Sequence, residues 1–207
     1  MKRPAFIALQ GARPVGLLGA LIAAIMDRET AEANELAITF LDPRPGEMII
    51  DIGAGSGRSL RRIAALVDPA PVAGVDHSAV MCARARRSNR DLVRRGRVRV
   101  DNVSSLNLPF QDASFDGVLS VHTIYFWPDL ERQFWEIARL LKPDGRAVLC
   151  FRPPSAAASA DFPAAVYRFR TDDEISAAAI RAGLRLSARR DHATPHGPLT
   201  MMKFVRR

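Results

Sequence analysis

The stretch Met48-Ile-Ile-Asp-Ile-Gly-Ala-Gly-Ser-Gly57 constrains the fold more than any other part of the chain. Its apolar run ends in an acid and is followed by glycines at positions 53, 55 and 57. This reads as a buried strand entering a turn whose backbone approaches a ligand closely, since glycine accepts positive φ and contact without a Cβ. The following Gly57-Arg-Ser-Leu-Arg-Arg-Ile-Ala-Ala-Leu-Val67 places Leu60, Ile63, Ala64 and Val67 on one helical face, with Arg58, Arg61 and Arg62 mostly off it. Strand, glycine loop and helix make a nucleotide-binding unit.

Glycine spacing sorts among the nucleotide motifs. A dinucleotide fingerprint needs G-x-G-x-x-G, and counted from Gly53 its third glycine falls on Arg58. A phosphate-cradling P-loop needs Gly-Lys-Ser/Thr, and the chain's lysines, Lys2, Lys142 and Lys203, all lie far from the loop. Asp51-x-Gly-x-Gly-x-Gly, with an acid closing the strand, instead resembles the first motif of class I S-adenosylmethionine-dependent methyltransferases.

A second acid supports that register. Pro71-Val-Ala-Gly-Val-Asp76 is another apolar run ending in a carboxylate, about as far beyond the loop as the acid that grips a ribose in related folds. A carboxylate accepts hydrogen bonds from both ribose hydroxyls. The competing reading is local: Asp76 or Ser78 caps the helical run that starts at Ala79.

Two later segments are similar to the same family. Leu108-Pro-Phe-Gln-Asp-Ala-Ser-Phe-Asp116, leading into Gly117-Val-Leu-Ser-Val-His122, matches a loop that enters the fourth strand. Leu140-Leu-Lys-Pro-Asp-Gly-Arg-Ala-Val-Leu-Cys150 matches the turn into the fifth, with Asp144 where glycine is usual. Asp tolerates left-handed backbone, so the exchange is conservative. The resemblance runs from about residue 46 to 152 and continues loosely to the C-terminus.

It implies S-adenosylmethionine as cofactor, with Asp51, Gly53, Ala54, Gly55 and Gly57 at its methionine portion, Asp76 at the ribose, and Ser120 counted in the cofactor set. The adenine position departs from the family. An acid usual after the third strand is replaced by Ser104, whose hydroxyl accepts from an amine more weakly than a carboxylate. Val103, Ser104 and His77 are the candidates there.

Periodicity places strands at about 47–52, 71–76, 97–101, 115–121, 146–152, 184–190 and 199–205, with helices between the first five and at 172–182. Alternating elements give an α/β, doubly wound, mostly parallel sheet. The last two runs form a hairpin, and the resemblance implies seven strands with one antiparallel. At 207 residues and 48% hydrophobic content, the chain reads as a single domain. Its divisions are a helical cap (1–42), a cofactor-binding core (43–152), a short flap (153–170) and a C-terminal helix and hairpin (171–207). The apolar run Pro14–Met26 is too short for a membrane span and lacks a clear cleavage site. With Thr30–Leu41 it reads as a lid over the pocket, contact with a membrane surface being the lesser alternative. Cys82 and Cys150 fall in a helix and a strand, which suggests no disulfide framework and a reduced, cytoplasmic setting. No metal is expected.

A net charge of +8, with Arg84, Arg86, Arg87, Arg90, Arg94, Arg95, Arg97 and Arg99 in one stretch, raises RNA or protein as an alternative substrate. These arginines fall all round a helix without interleaved aromatics, so a solvated basic face is the stronger reading. Small-molecule methyl transfer therefore leads. Its acceptor is partly apolar, a protein that binds the cofactor without methylating is a further alternative, and the oligomeric state is open. His122, at the end of the fourth strand, and Tyr125 are the catalytic candidates. His122 is read equally as a base or as a group that shapes the crevice.

Overall fold

Ile49–Ile52 is buried along its whole length because helices cover both faces of the strand it forms. The computed structural model describes residues 28–154 and 162–206, and in it this strand, β1, lies inside a seven-stranded sheet. The other strands are β2 (Val72–Asp76), β3 (Val98–Asn102), β4 (Phe115–Val121), β5 (Leu141–Phe151), β6 (Leu184–Thr194) and β7 (Gly197–Arg206). Their order is β3-β2-β1-β4-β5-β7-β6. Neighbours are parallel as far as β5, and β7 runs antiparallel to both β5 and β6. This is the doubly wound sheet with one antiparallel strand that the sequence implies.

Alternation along the strands sorts the core into two layers. Ile49, Val72, Val98, Leu119 and Val148 face α1 (Ala31–Leu41), α2 (Arg58–Leu66) and α3 (Ala79–Ser88), with the short α4 (Arg90–Arg94) at the margin. Ile50, Ile52, Val118 and Leu149 face α5 (Leu130–Leu140) and α6 (Asp172–Arg181). The expected face of α2 is buried in the first layer, where Leu60 and Ile63 contribute roughly 1.5–3 kcal/mol each by leaving water.

Helix starts follow capping chemistry. Ser78 caps α3 through the Met81 N–H, Asp129 caps α5 through Arg132, and Thr171 with Glu174 forms a capping box on α6. The N-terminus of α2 begins at Gly57 without a side-chain cap. The N–H groups of its first turn, which no carbonyl of the helix can accept, make a favourable place for polar or anionic atoms.

Two features differ from the sequence expectation. No helix joins β3 to β4; residues 103–114 form irregular chain. Pro109 removes one donor, and side chains of α5 take over the backbone groups that a helix would have paired. Arg139 donates to the carbonyls of Leu108 and Phe110, and Glu136 accepts from the Leu108 N–H. The second difference is that β5 starts at Leu141, not near 146. Leu141 pairs with Phe115 and Arg146 with Gly117, so Lys142–Gly145 bulges out of the ladder, with Asp144 at φ 63°. The left-handed turn is present, but it interrupts a strand instead of preceding one.

Within α1, Ile38, Phe40 and Leu41 are buried and Leu36 is partly so. The Arg146 side chain donates to the Leu41 carbonyl and pairs with Glu47, which ties this helix to β5. Pro14–Met26 and residues 155–161 of the expected flap lie outside the described residues. No helix among the described residues is long and apolar enough to cross a membrane.

Candidate active site

Strand β1 ends at Ile52, and the chain turns at once towards β2. The N–H groups of Gly53 and Ala54 both donate to the Val75 carbonyl, at 2.8 and 3.0 Å. The Gly55 N–H donates to Asp76 Oδ2 at 3.0 Å, and the Ser78 N–H to Asp76 Oδ1 at 2.8 Å. Asp76 thus ties the glycine loop to the start of α3. The local and ligand readings of this acid are compatible, because an ionised carboxylate has about four acceptor positions and these bonds use two.

The loop borders a cavity of about 640 Å³. It lies beyond the carboxyl ends of β1, β2 and β4, at the point where strand order reverses between β1 and β4. Gly53, Ala54, Gly55, Asp76, His77, Val103, Ser104 and His122 all line it, so eight of the residues singled out from sequence come together there. Thr30 and Asn34 add a wall from the α1 side, and Phe126 and Trp127 an aromatic one.

Asp51, Gly57, Ser120 and Tyr125 do not line the cavity. Asp51 lies one layer behind, 2% exposed, with Oδ2 accepting from the Ser59 hydroxyl and Oδ1 unpaired among the described residues. Burial pushes its carboxyl up to about 7, against the opposing hydrogen bond from Ser59 and with the help of the Asp76 charge. Gly57 faces α3: a side chain there would strike Ala85 and Asn89, and its carbonyl accepts from Asn89 Nδ2 at 2.9 Å. Its place in the pattern is explained by helix packing. Ser120 is buried and donates to the Ile52 carbonyl at 3.1 Å, pinning β4 to β1 below the cavity floor.

Tyr125 sits in a 3₁₀ turn (Ile124–Phe126), 4% exposed. Its hydroxyl accepts from the Arg152 backbone N–H and meets His122 Nδ1 at 3.1 Å. Desolvation drives its pKa far above that of a free phenol, so it stays protonated. His122 adopts a left-handed backbone, φ 57°, and its N–H donates to the Cys150 carbonyl. Burial, reinforced by the Arg152 charge, pushes its imidazole down to about 3. At neutral pH the ring is uncharged.

Several lining residues escaped the sequence reading. Asn102 is the clearest: it lies directly opposite Asp76 in the β2–β3 register, and its Nδ2 donates to the Asp76 carbonyl. Strand pairing would have found it, since the carboxyl ends of adjacent parallel strands share a crevice. Thr123 and Ser59 also line the cavity, and Thr123 crowds Gly53 so closely that a side chain there would collide with it. His192 and His196 stay out of the cavity. In the arginine-rich stretch, Arg86 holds the Val100 carbonyl, Arg97 the carbonyls of Ala64 and Ala70, and Arg99 pairs with Asp101 over the Phe110 ring. Three of the eight arginines in the stretch are thus engaged in holding the fold.

A doubly wound sheet with a glycine loop, an acid at the end of β2 and a crevice at the switch point defines a nucleotide-cofactor-binding domain. Residues 50–149 match the model of the methyltransferase domain family. The chain is 34% identical over 119 residues to 24-methylenesterol C-methyltransferase 2 of Oryza sativa subsp. japonica, covering 57% of this chain and 32% of that one. It is 37% identical over 137 residues to dimethylglycine N-methyltransferase of Parasynechococcus marenigrum, covering 66% and 46%. The chain thus spans less than half the length of either relative. Its fold is similar to that of geranyl diphosphate C-methyltransferase from Streptomyces coelicolor A3(2), solved with S-adenosyl-L-homocysteine, at TM-score 0.73 and 18% identity over 86% of this chain and 76% of that one. Residues 50–149 therefore carry a methyltransferase domain, set in the fold that solved methyltransferases share.

Proposed function

We propose that this chain transfers a methyl group from S-adenosylmethionine to a small, partly apolar acceptor. The carrying observation is the glycine loop joined to Asp76 at the rim of a cavity in the switch-point crevice. The cavity has the volume typical of small-molecule sites, and its donor set fits the cofactor. When bound, the cofactor supplies a sulfonium methyl group that is already electrophilic.

The protein's part is then binding and alignment. Asp76 accepts from the ribose hydroxyls with the lone pairs its backbone partners leave free. Backbone at Gly53 to Gly55 lies along the methionine portion, with Asp51 behind it fixing Ser59. Val103, Ser104 and Asn102 wall the adenine end, where the Ser104 hydroxyl and the Asn102 amide replace a carboxylate. Phe126 and Trp127 offer an apolar wall to the acceptor and exclude water from it. Holding nucleophile and methyl in line is a large part of the catalysis, since orientation alone is worth roughly 7–11 kcal/mol in well-aligned cases.

By their names, the relatives above act on a sterol and on dimethylglycine, and this supports a small molecule over a macromolecule. The test is transfer of labelled methyl from S-adenosylmethionine to a panel of phenols, quinones, thiols, carboxylates, amines and RNA. Label in a small organic product, with matching S-adenosylhomocysteine, supports the reading. Cofactor binding with no S-adenosylhomocysteine formed on any acceptor contradicts it, and label in RNA alone moves the acceptor to nucleic acid.

A further inference from the structure

The Tyr125 hydroxyl has one proton to give. Its oxygen already accepts from the Arg152 N–H, and the one other polar partner the structure gives it is His122 Nδ1, 3.1 Å away. If Nδ1 carried a proton, the phenol hydrogen would be buried with nothing to receive it, which costs roughly 1–3 kcal/mol. The arrangement that satisfies every group has Tyr125 donating to Nδ1. A neutral imidazole that accepts at Nδ1 carries its proton on Nε2.

His122 lines the cavity, and its Nε2 has no hydrogen-bond partner among the described residues. With Nδ1 held by Tyr125, Nε2–H is the ring donor that this lining residue has left for a ligand. The other ionisable groups described on the cavity wall are Arg58, Asp76 and His77. Asp76 is held by two backbone donors, His77 lies beside it at the ribose end, and an arginine does not take up protons. Near Phe126 and Trp127 no described side chain is available to take a proton from an acceptor.

We infer that His122 is a hydrogen-bond donor, locked in its Nε2–H tautomer by Tyr125, that receives the oxygen anion of an acidic phenol or enol. This rests on the methyl-transfer reading and names its acceptor class. The hydroxyl loses its proton to water on binding, favoured by the Nε2–H bond to the resulting oxyanion. A remaining oxygen lone pair forms the O–CH₃ bond, the S–CH₃ electron pair returns to sulfur, and no proton moves at the site in that step. Tyr125 is a positioning residue, and burial that disfavours the imidazolium serves the same end.

The first test uses the free protein labelled with ¹⁵N-histidine, whose four imidazoles are resolved by long-range ¹H–¹⁵N spectra. The His122 signals, assigned by their loss in His122→Gln, are expected to show protonated Nε2 and bare Nδ1 throughout pH 5 to 8. Tyr125→Phe is expected to mix the tautomers. A His122 titration within that range, or a protonated Nδ1, overturns the proposal whatever the enzyme's activity. The second test follows turnover of 4-nitrophenol, 4-chlorophenol and phenol with labelled S-adenosylmethionine. The expected kcat/KM falls in that order at pH 7. His122→Gln, whose Nε2 also donates, keeps it within about fivefold, while His122→Leu loses about 10- to 100-fold, the usual worth of one hydrogen bond to a charged group. Equal losses in Gln and Leu variants, with a new limb in the wild-type pH profile near neutrality, restore a general base. Calorimetric binding of S-adenosylhomocysteine that persists without turnover of any phenol overturns the acceptor class alone; loss of that binding overturns the methyl-transfer reading itself.

Discussion

Asp51 and Asp76 are twenty-five positions apart on adjacent strands, yet their surroundings give them different chemistry. Asp76 reaches the cavity and keeps lone pairs for a ligand, whereas Asp51 is sealed behind the loop. Because burial raises the folded-state pKa of Asp51 to about 7 from an unfolded value of 3.8, its protonated form contributes stability that is complete below pH 3.8. That contribution is lost as pH rises through about 7. Comparing urea unfolding of wild type and Asp51→Asn between pH 4 and 8 is therefore expected to show the wild type losing ground, by at most about 4 kcal/mol at roughly 1.4 per pH unit. A constant difference would mean that the carboxylate is ionised throughout. Gly55, at φ 54° and hydrogen-bonded to Asp76, makes a second test. Gly55→Val forces a branched side chain into a left-handed turn at the cavity wall and is expected to abolish binding of S-adenosylhomocysteine by calorimetry. Unchanged affinity would show that the ligand does not approach this turn.

At the scale of elements, the connection from β3 to β4 shows what sequence reading catches and what it misses. The Leu108-Pro-Phe segment was legible as a loop feeding a buried strand, because Pro109 and the apolar run of β4 are local signals. Its support was not legible, because it comes from α5, more than twenty residues later. Arg139 alone bonds the carbonyls of Leu108 and Phe110 and the carboxylates of Asp112 and Glu136. Removing it strips the Phe110 carbonyl of its partner, leaves the Leu108 carbonyl only the Phe110 N–H, and loosens the wall formed by Val103 to Leu106. Arg139→Ala is expected to cost about 2–3 kcal/mol of stability and to weaken cofactor binding severalfold, read by thermal unfolding and calorimetry on the same sample. Full affinity in a destabilised variant would separate this loop from the site. The β5 bulge makes the same point: the left-handed position was visible at Asp144, but not that the ladder resumes on its far side at Leu141. Among the glycines, Gly57 matched the motif by spacing, while its contact with Asn89 is a tertiary fact that no local pattern contains.

For the molecule as a whole, sheet order places the ends of β1, β2 and β4 around one crevice, and Arg58 is the one arginine or lysine among the described residues that line it. The arginines near α3 and β3 that a sequence count assigns to a possible nucleic-acid surface are partly spent on carbonyls and carboxylates of this fold. The fold and the cofactor loop were legible because both are written in short, local runs of the chain. The opposite wall of the cavity was not, because it brings together α1 and the turn after β4, which lie far apart in the chain. Cofactor recognition by the glycine loop and Asp76 is tested most directly by calorimetry. S-adenosylhomocysteine and NAD are titrated into wild type and Asp76→Ala. The wild type is expected to bind S-adenosylhomocysteine one to one and to give no saturable heat with NAD, and Asp76→Ala to weaken the first by at least about tenfold, or 1.4 kcal/mol. Saturable binding of NAD without S-adenosylhomocysteine, or an Asp76→Ala variant of unchanged affinity, would contradict it.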